Sequence, residues 1–164
     1  MTAALHGWHD GEIIVQQKLG YREAVAQAWR VTESSMREQH RIFHTSNLHF
    51  VPLTTSDGDG RPWASLLAGS RGEIGFIKSP DSNTLLVQAR LWEGDPLLET
   101  LRAWLDPDTR RAAHAERFLI AGVGIEFSTR RRNKFAGYIR WVRQITEMDF
   151  ELTLFINEAH LGMY

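Results

Sequence analysis

The sequence predicts a mainly β protein of the α+β kind: a six- to seven-stranded antiparallel barrel with a helical preface at its N-terminus and one short covering helix. Two observations carry this. After Phe43 the chain turns to short runs rich in Val, Ile, Thr, Phe and Trp, punctuated by Gly and Asp. Such runs, with few helices between them, favour antiparallel pairing over a doubly wound parallel sheet. Before them, apolar residues recur at three- and four-residue steps, the helical period.

The preface runs from Asp10 to about Gln39, with Ile13, Ile14 and Gln17 on one stretch and Ala24, Val25, Ala28, Trp29 and Thr32 on the next. Gly20 breaks it into two helices. Residues 1–40 are therefore read as a helical extension packed on a barrel domain of residues 41–164, together one unit without repeats or linkers. Leu48 to Thr55 reads as the first strand. The turn Ser56-Asp57-Gly58-Asp59-Gly60 follows, and Arg61 to Ala68 returns. After a turn at Gly69 to Gly72, Glu73 to Lys78 and Asn83 to Arg90 form a second pair around Pro80, which suits a turn better than a central strand. Asp95-Pro96 opens the covering helix, with Leu97, Leu98, Leu101, Trp104 and Leu105 as its apolar stripe. Phe118 to Phe127, Gly137 to Glu147 and Phe150 to Ile156 complete the strands.

Composition narrows the function classes. A chain of 164 residues is one domain's length and buries roughly 70% of its unfolded surface. Without cysteine it has no disulfide framework, thiolate metal site or cysteine nucleophile. A net charge of -1 argues against wholesale binding to nucleic acid or to a membrane surface. No apolar run approaches the ~20 residues that span a bilayer. The expectation is a soluble cytoplasmic protein. Sixteen of the 19 basic residues are arginine, a skew that genomic base composition also produces.

Three segments carry candidate chemistry. Arg130, Arg131, Arg132, Asn133 and Lys134, behind Thr129, set four cations in five positions, and phosphate is the natural partner for such a cluster. A solvated basic turn is the plain alternative, since successive strand residues alternate faces and cannot all converge on one anion. Arg61, Trp63, Ala64 and Ser65 follow the hairpin turn, where Gly and Pro are also ordinary turn residues. Lys78, Ser79 and Ser82 leave a strand end together, as phosphate-binding loops and many other polar turns do. His40 and His44 stand at a chelating spacing on a helix, but no glutamate accompanies them as a metalloprotease helix requires. Gly122-Val123-Gly124 lacks the third glycine of a dinucleotide loop.

In order along the chain, a further set of marks emerges: Trp8-His9-x-Gly11-Glu12, Arg41-x-Phe43-His44, Pro52-Leu53 and Asp57-x-x-Gly60-Arg61-Pro62-Trp63-Ala64-Ser65. Gly75-Phe76-Ile77-x-Ser79-Pro80-Asp81, Gly94-Asp95-Pro96 and Gly124-Ile125-Glu126-Phe127-x-Thr129-Arg130-Arg131-Arg132-Asn133-Lys134-x-x-Gly137 continue it. The ordered set resembles the FMN-binding split-barrel family related to pyridoxamine 5′-phosphate oxidase, in a divergent subgroup and not the oxidase itself. The resemblance implies a six-stranded antiparallel split barrel, a homodimer, and FMN at the subunit interface. It implies that Arg61, Trp63, Ala64 and Ser65 line the flavin, that Lys78, Ser79 and Ser82 bind its phosphate, and that Arg130 to Lys134 is the subgroup's basic signature. An oxidoreductase or electron-transfer role with an external reductase or a small-molecule substrate follows from the same resemblance. Serine at position 65, where the oxidase carries arginine, speaks against pyridoxamine phosphate oxidation. Ala136 replaces the subgroup's asparagine, and Asn157 to Tyr164 differ from its usual last segment. No acid or base is singled out: His44, His49 and Glu126 are candidates only by proximity in the chain. A cofactor-free binding or regulatory module is the alternative. Binding of single-stranded nucleic acid through Trp63, Trp141 and the arginine run is a third.

Overall fold

The computed structural model describes residues 6–112 and 118–160. Its helices are α1 (Asp10–Leu19), α2 (Glu38–Ser46), α3 (Pro96–Leu105) and α4 (Pro107–Ala112). Its strands are β1 (Thr32–Glu33), β2 (Phe50–Ser56), β3 (Pro62–Ala68), β4 (Ile77–Lys78), β5 (Thr84–Arg90), β6 (Leu119–Glu126), β7 (Arg131–Gln144) and β8 (Asp149–His160). Seven strands form one antiparallel sheet in the order β3-β2-β6-β7-β8-β5-β4, with β1 added to β8. The sheet curls until β3 approaches β5, yet no ladder joins them among the described residues. This is a split β-barrel, as expected.

The alternating pattern decides what lies inside. Leu53 of β2, Leu67 of β3, Leu85 and Val87 of β5, and Leu152, Leu154 and Ile156 of β8 face inward and are fully buried. Helix α3 covers one end of this core with Leu97, Leu98, Leu101 and Trp104. Its start is as the sequence predicts: Pro96 takes the first turn, and the Asp95 side chain accepts a hydrogen bond from Leu97 N at 2.9 Å. Trp104 meets Trp141 of β7 edge-on, 5.2 Å between centroids.

The start of α1 explains the first sequence mark. His9 Nδ1 accepts from Gly11 N at 3.1 Å while the Glu12 carboxylate accepts from His9 N at 2.9 Å, a reciprocal cap. Gly20 ends the helix at φ +74°.

Beyond the added β1 and α4 and the last four residues of β8, four elements differ from expectation. The second helix of the preface reduces to turns and a single 3₁₀ turn, Ala28–Val31. Val25 O, which an α-helix would reserve for residue 29, accepts instead from Ala28 N and from the Trp8 indole. The true second helix is α2, which begins where the preface was expected to end and buries His40, Phe43 and His44 on one face. Strand β4 holds two residues instead of six, because Gly72 and Gly75 turn the chain at φ +69° and +95°. Strand β7 begins six residues early: Arg130 makes the turn at φ +60°, and the basic run continues as strand.

Candidate functional site

At one end of the barrel, α2 stands between the β4–β5 loop and the β6–β7 turn. Its Arg41 is half-buried and reaches Ser79, with Nε donating to the hydroxyl at 3.0 Å and Nη2 to the carbonyl at 2.7 Å. The Ser79 hydroxyl in turn donates to Asp81 O at 2.9 Å. Ser82 is exposed, its hydroxyl donating to Asn83 Oδ1 at 3.1 Å and its carbonyl accepting from Met36 N. Asn83 Nδ2 donates to Ser34 O and Ile156 O, which fixes the loop to β8. Lys78 lies exposed beside this loop.

The basic run is divided by its strand. Arg131 lies over the Phe43 ring at 5.2 Å. Arg132 is exposed, and Arg130 belongs to the turn. Asn133 points inward and is buried, its Oδ1 2.7 Å from His44 Nε2 and its Nδ2 donating to His160 O at 3.1 Å. His44 sits edge-on to Phe43 and Phe135, and burial, opposed by the Asn133 hydrogen bond, brings its pKa down to about 4. Gly124 makes room for this docking, since a Cβ there would come within 2.9 Å of Leu48, Phe43 and His44. Lys134 faces outward and, with Pro52, Ala121, Ala136, Glu158 and His160, lines an open cleft of about 420 Å³. Glu126 accepts from Thr129 Oγ1 and from Asn47 Nδ2, which holds its carboxyl below the usual range.

The hairpin-turn group lies at the other end of the same strands. Arg61 donates through Nε to Asp57 at 2.8 Å and through Nη2 to Asp59 at 2.6 Å. The Trp63 indole donates to Asp57 at 2.9 Å, and with the Arg61 backbone N–H this holds the Asp57 carboxyl well below its ordinary value. Ala64 is exposed. Ser65 is buried, and its hydroxyl donates to Asp95 Oδ1 at 2.5 Å, tying β3 to the cap of α3.

The fold thus gathers Ser79, Arg131 and Asn133 around α2 and leaves Arg61 and Trp63 at the far end of the β2–β3 hairpin, some seven residues or roughly 20 Å away. Arg41 is the polar group that the sequence did not mark as a site residue; its partner is 38 positions on, so no local spacing announces it. The His40 and His44 pair gathers no metal set: no group of three metal-ligating side chains occurs among the described residues. Among those residues, too, no helix is long and apolar enough to cross a membrane. The final segment, Leu161 to Tyr164, lies outside the described residues.

No family model matches the chain, and no curated protein matches it. Solved structures do. A candidate pyridoxamine 5′-phosphate oxidase from Lactobacillus delbrueckii is similar at a TM-score of 0.50 and 15% identity, over 78% of this chain and 95% of that one. An F420 reductase (TM-score 0.44, 11% identity, 74% and 95% covered) has a related shape. So has an FMN-binding protein from Syntrophomonas wolfei subsp. wolfei (0.43, 9%, 95% and 99%). At such identities the likeness is one of fold, and the first of the three carries it: the chain has a pyridoxamine phosphate oxidase-like split barrel.

Proposed function

We propose that the chain is an FMN-binding flavoprotein of the pyridoxamine phosphate oxidase-like class, working as a homodimer in oxidoreductase or electron-transfer chemistry. The observation that carries this reading is the position of two segments on the two free edges of one curled sheet. Strand β3 is one terminal strand and β4 the other, and the curl draws the β3 edge toward β5.

The residues suit the two halves of FMN. On β3 the outward row Pro62, Ala64 and Leu66 is apolar and exposed, a surface for a flat ring. Its outer backbone edge pairs with no strand among the described residues, leaving N–H and C=O groups for a ring's polar edge. Across the split, Lys78 and the Ser79–Ser82 loop with Arg41 offer cations and N–H donors for a phosphate. Ser65 serves through its backbone, since its side chain is held by Asp95, and Trp63 borders the row. When bound, FMN supplies hydride or single-electron transfer at its ring. Leu66, Leu119 and Trp141, between 49 and 56% exposed, leave apolar surface on the barrel that a second copy would cover.

The test is the visible spectrum of the purified protein, followed by titration with FMN and riboflavin and by sedimentation. Yellow protein, or FMN held at least tenfold tighter than riboflavin by a dimer, is expected. One specific observation favours the alternative of a cofactor-free module: Arg61 is neutralised by Asp57 and Asp59. Colourless protein that ignores both flavins would establish that reading.

A further inference from the structure

At the β4–β5 loop the hydroxyl protons are already committed within the chain. A serine hydroxyl has one hydrogen to donate and two lone pairs to accept with. Ser79 gives its hydrogen to Asp81 O and accepts from Arg41 Nε, so what remains is an acceptor, and a phosphate needs donors. Ser82 has likewise given its hydrogen to Asn83 Oδ1, and that oxygen is held in place because Asn83 Nδ2 is engaged twice.

Arg41 is in the opposite state. Two of its five N–H groups go to Ser79, and no other group among the described residues engages the rest. Arg37, Arg61, Arg90, Arg102 and Arg143 each meet a carboxylate. Arg41 is half-buried and held by a neutral serine through its hydroxyl and carbonyl. A partly desolvated guanidinium, fixed in direction and lacking a counter-charge, is built to receive an anion from outside the chain.

We infer that Arg41, and not the Ser79 hydroxyl, is the group that reads a phosphate at this loop, with Ser79 serving to aim it. The inference rests on the flavin reading for the identity of the phosphate's carrier. Titrations of the full chain with FMN and with riboflavin, for wild type, Arg41→Ala, Arg41→Lys and Ser79→Ala, test it. Losing a charge-assisted contact predicts that Arg41→Ala weakens FMN by about ten- to a hundredfold. Riboflavin binding should stay within about threefold, which also certifies that the variant is folded. Arg41→Lys should fall between, keeping the charge and losing the fork, and Ser79→Ala should keep FMN within about threefold. An FMN preference untouched by Arg41→Ala, or a Ser79→Ala loss as large as that of Arg41→Ala, overturns the inference and leaves the flavin reading intact. If wild type takes neither flavin, inorganic phosphate followed at the Arg41 Nε–H resonance separates the two claims. A shift on phosphate addition upholds the anion site while the flavin reading falls, and no shift overturns both.

Discussion

The two ends of this barrel handle positive charge in opposite ways. At the β2–β3 turn, Arg61 meets Asp57 and Asp59, its neighbours in sequence, and Trp63 joins the same carboxylate. The cluster is local and sets two carboxylates against one guanidinium, and its hydrogen bonds are spent on shaping a turn. At the α2 end, contacts span 38 positions from Arg41 to Ser79 and 89 from His44 to Asn133. There, among the described residues, no carboxylate meets Arg41. Counting cations therefore does not find a site; what sets Arg41 apart is a half-buried position in which neutral groups hold it.

The largest effect expected from breaking this contrast is at His44. Replacing it with alanine opens a void between Phe43 and Phe135 and strands the Asn133 Oδ1, at a cost of about 3–4 kcal/mol in urea unfolding. Acid should produce nearly as much. The His44 imidazole has a pKa of about 4 in the folded chain, against about 6.5 unfolded, so between these values the unfolded state holds the extra proton. Stability is full above about pH 6.5, falls as pH drops toward 4 by up to about 3 kcal/mol, and levels off below. Burial also lowers His40, in the same direction. Asp57 is depressed instead, so what it contributes persists until pH falls below the ordinary carboxylate range. The α2 end should therefore loosen first on acidification, seen as faster amide exchange in α2 than at the β2–β3 turn, and His44→Gln should flatten the response.

Asp95→Ala is next. It removes the cap of α3 and leaves the buried Ser65 hydroxyl unpaired, for about 2 kcal/mol in the same assay. The smallest effect belongs to Arg61→Ala. Its ion pairs lie at the surface, so stability should change by no more than about 0.5 kcal/mol. FMN affinity should not change; a tenfold loss would return Arg61 to the site.

What could be read from the sequence follows the same division. The hairpin turn and the start of α3 were legible because their chemistry is local: Gly60 at φ +79° and an Asp-Pro cap are visible within five residues. Helix α2 was not, because its polar composition carries a short buried stripe, His40, Phe43 and His44, in which two of three members are histidines. The basic run was legible as a cluster, and its division between faces followed from strand alternation. That Asn133 would turn inward to a histidine 89 positions away was not, nor was the Ser79 hydroxyl's bond to Asp81 O, which leaves Arg41 as the donor at that loop.

Hydrogen–deuterium exchange of the full chain with and without FMN tests the central claim most directly. Slower exchange confined to residues 62–68 and 77–84, the two sheet edges, is the predicted result. Protection absent from both edges, or confined to the outer cleft around Pro52, Ala121 and Ala136, would contradict it.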